Sequence, residues 1–487
     1  MTTTPIEDYS KNRIKHKVNT SRPPNLKHSS GSHLSRMTSS EIRSTMSLST
    51  IFAMRMMGLF MIYPVFSVYA ENLRGVTPLT IGLALGGYGL SQAIFQIPFG
   101  MLSDRIGRKP VITAGLLIFA LGSAVAAMSD SIHGVIIGRI LQGAGAVGST
   151  ILAMIADLTR EEHRTKAMAM LGMTIGSSFA LALVLGPVLN GYIGVHGIFW
   201  LTAGLALTGE LVLVAVVPRP AQVRLHRDAE PVPALFRKVL TDGQLLRLDF
   251  GVLSLHAILT ANFVALPIAL RDAAGLDVRH QWYLYLPVLA AAVIIMVPFI
   301  ILAEKRRKIK PVFLGAILAL AGANLALMEW HYSLVGTTAA LIVFFAAFTL
   351  MEASLPSLIS KVVPPDAKGT AMGVYSSSQF FGIFVGGTIG GWVYGRQGLE
   401  GVFVFTALLA LVWFLFAVTM KKPSFLSSYL VNIGEINEAE ANDLAIQLAR
   451  VRGVAEAIVI AGEGTAYLKV DSKTLDEEAL AAFSTIE

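Results

Sequence analysis

The sequence predicts an all-α membrane protein with a small α+β domain at its carboxyl end, and three observations carry that expectation. Hydrophobic residues are 54% of the 487 and charged residues only 15%, with a mean hydropathy of +0.63. Apolar runs near the roughly 20 residues that cross a hydrocarbon core of about 30 Å recur along the chain. Charge is split unevenly: Ser424 to Glu487 holds eleven acids against four bases, a net of −7, so the overall +7 leaves +14 for everything before it. A soluble chain of this length would carry about a quarter of its residues as charges. The 44 glycines show no three-residue period, which excludes collagen, and the lack of cysteine excludes disulfide scaffolds and thiolate metal sites. The basic balance is topological and not a nucleic-acid signature, because Lys and Arg of membrane proteins collect in cytoplasmic loops.

Residues 1–44 read as a disordered basic tail, with eight Lys or Arg against three acids and with Pro23, Pro24 and Gly31 breaking any helical period. It has no apolar core of the kind a cleavable signal needs. The membrane spans follow at 47–71, 77–101, 110–129, 132–157, 166–193 and 198–217, then at 248–270, 281–303, 312–330, 335–361, 368–394 and 401–420. Their runs are continuous, so they are helices and not barrel strands. Residues 45–217 and 248–423 thus form two six-helix bundles joined by a polar cytoplasmic loop, 218–247. An internal repeat ties the halves together: Leu102-Ser103-Asp104-Arg105 and Pro110 match Leu302-Ala303-Glu304-Lys305 and Pro311, about 200 residues later. Loops opposite the amino terminus hold four basic residues, Arg74, Arg271, Arg279 and Arg396, which puts both termini in the cytoplasm.

Residues 424–487 are the acidic domain. Phe425 to Ile433 reads as a strand, Ile436 to Val451 as a helix, Val454 to Ala461 and Thr465 to Asp471 as a hairpin, and Leu475 to Ile486 as a second helix. The order is βαββα. Its −7 charge is expected to dock on basic cytoplasmic residues near Arg306, Arg307 and Lys308.

The sharpest motif runs from Gly100 to Pro110, GMLSDRIGRKP, at the turn between spans 2 and 3. Gly100 lets its helix approach a neighbour, Gly107 permits a positive φ, and Pro110 suits a first helical turn. Asp104 sits at the negative end of its helix, so it needs a base or the positive start of another helix. With Arg105, Arg108 and Lys109 it forms a candidate conformational latch. This stretch, with twelve spans in two halves, resembles the major facilitator superfamily, in its drug:proton antiporter-like branch with a small cytoplasmic ferredoxin-like domain. The resemblance implies the major facilitator fold, an Asp104 facing the start of span 11 near Gly369 in the outward-open state, and an Arg108 paired with Asp157. Gly138 to Gly145 is similar to the superfamily's arginine motif, which implies a coupling role for Arg139 with Gln142 on the same face. Gly186-Pro187 followed by Gly191 resembles the antiporter signature of span 5, implying a kink there.

Ionisable groups in a membrane are costly, and Arg55, Glu210, His256 and Glu352 therefore should face a wet cavity or each other. Arg55 and Glu352 reach the middle. Glu352 is the candidate proton carrier, with a permanent ion pair as the alternative, and His256 titrates naturally near neutrality. Tyr63, Phe66, Tyr69, Tyr88, Phe95, Tyr375 and Phe380 are candidate cavity walls, or helix packing. The function expected is proton-coupled export of small hydrophobic or cationic compounds across the bacterial inner membrane, with the proton as coupling ion and no other cofactor. The alternatives are uptake symport and a sensor acting through the carboxyl domain. No nucleotide loop, catalytic triad or metal cluster points to an enzyme.

Overall fold

The computed structural model describes residues 37–219, 231–421, 426–434, 436–461, 464–471 and 473–483. Most of the expected tail (1–36), part of the middle loop (220–230) and the end of the last predicted helix (484–487) lie outside the described residues. Fifteen α-helices and one small sheet make up the described chain. Among the described residues nine segments are long and apolar enough to span a membrane, so the protein is a mostly helical multi-pass membrane protein.

The first span is α1 (Ser39–Phe60) and α2 (Tyr63–Ala70). It starts earlier than the sequence reading: residues 39–44, placed in the basic tail, are helical. Glu41 in the first turn suits the helix dipole, and its carboxylate accepts from the Arg160 backbone N–H at 2.9 Å and from Arg160 Nε at 3.1 Å. Next come α3 (Pro78–Ile106), capped by a Thr77–Thr80 capping box, then α4 (Arg108–Ala127), α5 (Ile132–Ala144) and α6 (Gly148–Asp157).

The helix α7 (Glu161–Ala215) is 55 residues long, about 80 Å at 1.5 Å per residue and far more than one bilayer. It is broken at Gly194, with φ 65° and ψ 178°, a conformation only glycine adopts readily. After α8 (Phe236–Leu240) come α9 (Gly243–Ile268), α10 (Trp282–Glu304), α11 (Ile309–Trp330) and α12 (Leu334–Val362). The pattern then recurs: α13 (Lys368–Val418) has 51 residues and is broken at Gly398, φ 67°. The two breaks fall where the sequence ends one span and begins the next.

At the end of the molecule opposite residues 104–108, α3 and α13 touch backbone to backbone. A Cβ added at Gly82 would lie 1.9 Å from the Gly387 carbonyl oxygen, and one at Gly391 would lie 2.5 Å from the Pro78 oxygen. Ser67 donates to the Phe263 carbonyl at 2.9 Å, and Arg271 Nη1 to Glu71 Oε2 at 2.6 Å. All of these contacts join residues before 218 to residues after 248. Gly82→Val is therefore expected to pry this end open. The chain has no cysteine, so Ser67→Cys gives a single label at a fully buried site. Reaction with an impermeant maleimide should rise about tenfold in the Gly82→Val background, a population shift of about 1.4 kcal/mol. Unchanged labelling would show that this contact does not hold the end closed.

The carboxyl domain is a sheet of order β1 (Ser427–Asn432), β3 (Thr465–Val470), β2 (Val454–Val459), antiparallel throughout, with α14 (Glu438–Ala449) and α15 (Glu477–Ala481). Ala466, Leu468 and Val470 of β3 pack with Val431, Leu448 and Leu480 in one apolar cluster. The last helix is shorter than the sequence reading. Asp476 caps it by accepting from the Ala479 N–H, so Leu475 lies before the helix. All six residues of β3 are buried, although Thr465, Tyr467 and Lys469 alternate with the apolar set. That second face meets the membrane part.

Candidate functional site

The turn from α3 into α4 is built around Arg108, whose side chain is buried. Its Nε donates to Asp157 Oδ2 at 2.8 Å, its Nη1 to Ser103 Oγ at 2.8 Å and also to Asp104 Oδ1. Gly107 makes the turn with φ 95°, and Gly100 lies where a Cβ would come 3.0 Å from Ser149 Oγ of α6. Asp157 is 0% exposed and Asp104 30% exposed. Arg105 is exposed and Lys109 half-buried. The repeat places Glu304 where the first half has Asp104, and it too is paired, with Lys361 at 2.6 Å.

The interior of the first half holds two buried cations. Arg139 Nη1 donates to Gln142 Oε1 at 2.8 Å and its Nε to the Ala84 carbonyl at 3.2 Å, while Gln142 Nε2 donates to Ser123 Oγ at 2.7 Å. Arg55 donates to Gln92 Oε1. Both guanidinium groups lie over the Tyr88 ring, at 5.6 and 5.2 Å. The sequence reading brings Arg55 and Glu352 to the middle, facing a wet cavity or one another. Instead, Arg55 turns into its own half, between α3 and α4.

Glu352 of α12 meets His256 of α9 and Gln379 of α13. His256 Nδ1 lies 3.1 Å from the Val252 carbonyl, an acceptor only, so Nδ1 carries the hydrogen. Its Nε2 lies 2.8 Å from Gln379 Nε2 and 3.5 Å from Glu352 Oε2. Gln379 Nε2 also donates to Glu352 Oε1 at 3.3 Å. The Glu352 side chain is 34% exposed, with its Oε2 buried, while His256 is buried throughout. Gln379 was missed in the sequence, where a lone amide inside an apolar helix carries no signal. Glu210, which had no visible partner, accepts from Thr113 Oγ1 at 2.8 Å.

A cavity of about 410 Å³ opens between α1 and α7. Its walls include Met46, Met57, Met170, Met173, Ser177 and Leu181. The aromatic residues expected there mostly pack helices: Tyr63, Phe66, Tyr88, Tyr375 and Phe380 are buried, Tyr69 is half-buried and bonded to His196, and only Phe95 is exposed. The methionines were legible in principle, since Met46, Ala53 and Met57 share a helical face, as do Met170, Met173 and Ser177. Gly186 packs against the junction of α1 and α2, where a Cβ would lie 2.3 Å from the Met61 carbonyl. The backbone φ and ψ stay helical through Gly186, Pro187 and Gly191, and the break comes at Gly194.

Where the carboxyl domain meets the membrane part, Lys469 Nζ donates to the Ser360 carbonyl at the end of α12, and Arg307 Nη2 to Asp471 Oδ2 at 3.2 Å. Lys469 is only 2% exposed, and burial pushes its ammonium down to about 8. The Lys473 backbone N–H, then Arg307, hold the Asp471 carboxyl below its usual range.

Residues 48–386 and 302–435 match the Major Facilitator Superfamily model. The chain belongs to the major facilitator superfamily. It is 46% identical over 438 residues to the inner membrane transport protein YajR of Escherichia coli, covering 90% of this chain and 96% of that one. The multidrug resistance protein MdtH of Proteus mirabilis is 25% identical, over 70% of this chain and 85% of its own length. Among solved structures, a bacterial homolog of the human lysosomal transporter Spinster, inward-facing and occupied, superposes with a TM-score of 0.67 at 15% identity, covering 78% of this chain and 97% of that one. The protein is therefore a facilitator-superfamily transporter and not an enzyme.

Proposed function

We propose that the protein exports small hydrophobic or cationic compounds across the inner membrane in exchange for protons, by alternating access of two six-helix bundles. Nine spans become twelve when α7 and α13 are each counted as two crossings, divided at Gly194 and Gly398, and α3 is added. The loops near residues 104–108 and both termini then face the cytoplasm, and the α1–α7 cavity opens there: the conformation is inward-facing. In that state Asp104 has turned to Arg108 and away from the start of α13, as a released latch would. Arg108 and Asp157 stay joined and act as the rigid half of the clasp.

The observation that carries the coupling is Glu352, a partly exposed carboxylate in the middle of α12 that is backed by His256 and Gln379. It is placed to exchange a proton with water on one side and to be sealed from it when the bundles rock. Methionine walls, soft and adaptable, suit varied apolar substrates. Proteoliposomes with an imposed pH gradient and ethidium as probe test the reading. Exchange predicts accumulation on the acidic side, whereas uptake symport would accumulate it on the other, and a sensor would bind without flux.

The carboxyl domain is read as docked on the membrane part through β3, with a pH response that follows from Lys469. Undocked, its amine keeps the ordinary value near 10.5; docked, it lies near 8. The undocked state therefore binds more protons between these values, so docking strengthens as pH rises from about 8 to about 10.5 and is constant below. With Ser360→Cys and Lys473→Cys labelled in this cysteine-free chain, the fraction of short label–label distances should rise over that window. Lys469→Met should remove the slope; a slope that survives in this variant would take Lys469 out of the account.

A further inference from the structure

Asp249 is a buried acid that neither the motifs nor the proton cluster uses. It lies on α9, 6% exposed, and neither carboxylate oxygen has a hydrogen-bond partner among the described residues. Seven residues before His256, it shares that helix face about 10 Å nearer the end that bears residues 104–108. On α13, Tyr375 is also buried, and its hydroxyl likewise has no hydrogen-bond partner among the described residues. Trp413, also of α13, packs on Gly251 and does not titrate.

Cations on neighbouring elements are engaged elsewhere. Arg247 donates to Thr419 Oγ1 at 2.9 Å and to the Gly243 carbonyl at 2.6 Å, and Lys238 of α8 pairs with Asp366 at 3.2 Å. Lys310 of α11 donates to the Val418 carbonyl at 2.8 Å. From α2 and α3, Tyr63 and Tyr88 stand farther along, at the levels of Phe263 and Phe380. A carboxyl group stripped of water and given neither donor nor cation is held at lower cost as the neutral acid.

We propose that Asp249 is a second proton-carrying carboxyl, set between the cytoplasmic end and Glu352. Its carboxyl holds the proton while buried and gives it to water when rocking of the bundles hydrates the site, leaving the carboxylate ionised. The inference rests on the proton-coupled reading of Glu352.

Infrared spectra of the full chain in lipid nanodiscs, stepped from about pH 9 to about pH 5, count protonated buried carboxyls without any substrate. Two components are expected. Asp249→Asn should remove one and Glu352→Gln the other. If Asp249→Asn does not fold, Asp249→Glu decides, because it keeps the component and shifts its frequency. A spectrum unchanged in the Asp249 variant overturns the inference, and if Glu352→Gln still loses its component the coupling reading stands. Loss in the Asp249 variant with none in Glu352→Gln upholds Asp249 and removes Glu352 as carrier. No component in the parent chain sinks both.

Discussion

Glu352→Gln should abolish accumulation driven by a pH gradient while leaving downhill exchange of the same compound in place. The substitution keeps shape and hydrogen bonding beside Gln379 but removes the carboxylate of the His256 cluster. A carrier fixed in its neutral form can still rock, because nothing in the α3–α13 contact changes, but it no longer links rocking to proton movement. The uphill rate should fall at least about 100-fold, equivalent to about 2.7 kcal/mol. His256→Gln should cost less, since His256 is buried and the partly exposed carboxylate stays in place. Full uphill accumulation in Glu352→Gln would take the coupling site elsewhere.

How much of this was readable beforehand differs by the kind of force involved. The spans were legible because the length of an apolar run answers directly to the thickness of the bilayer, and even the breaks in α7 and α13 fell between predicted spans. Arg108 and Asp157 were reachable through the motif's likeness to its family. Partner choice inside the bundles was not. Arg55 and Glu352 stand at similar depth, yet depth does not say which way a side chain turns, and Arg55 found Gln92 and two aromatic rings in its own half. Asp249 was in plain view but fell at the edge of its span, where an acid reads as an end charge; counting seven residues back from His256 would have put it on the same face. Lys469 looked like the polar side of a strand, and only packing against α12 buries it.

Arg108→Ala should be the most destabilising single change in the clasp, because it takes the guanidinium away from a carboxylate that is 0% exposed. Removing one partner of a buried pair typically costs about 3–5 kcal/mol, since the remaining charge keeps its desolvation penalty. Asp157→Ala in the same background should recover part of that loss, with a coupling of at least about 2 kcal/mol in a double-mutant cycle read from unfolding of the purified protein. Asp104→Asn is different in kind. That carboxylate is 30% exposed, and its bond to Arg108 should be worth less than about 1 kcal/mol. Its effect belongs to the equilibrium between conformations, visible as altered labelling of Ser67→Cys. Additive losses for Arg108→Ala and Asp157→Ala would mean that the two do not act as a unit, and a loss in Asp104→Asn as large as in Arg108→Ala would mean that rigidity and gating are not divided between the two acids.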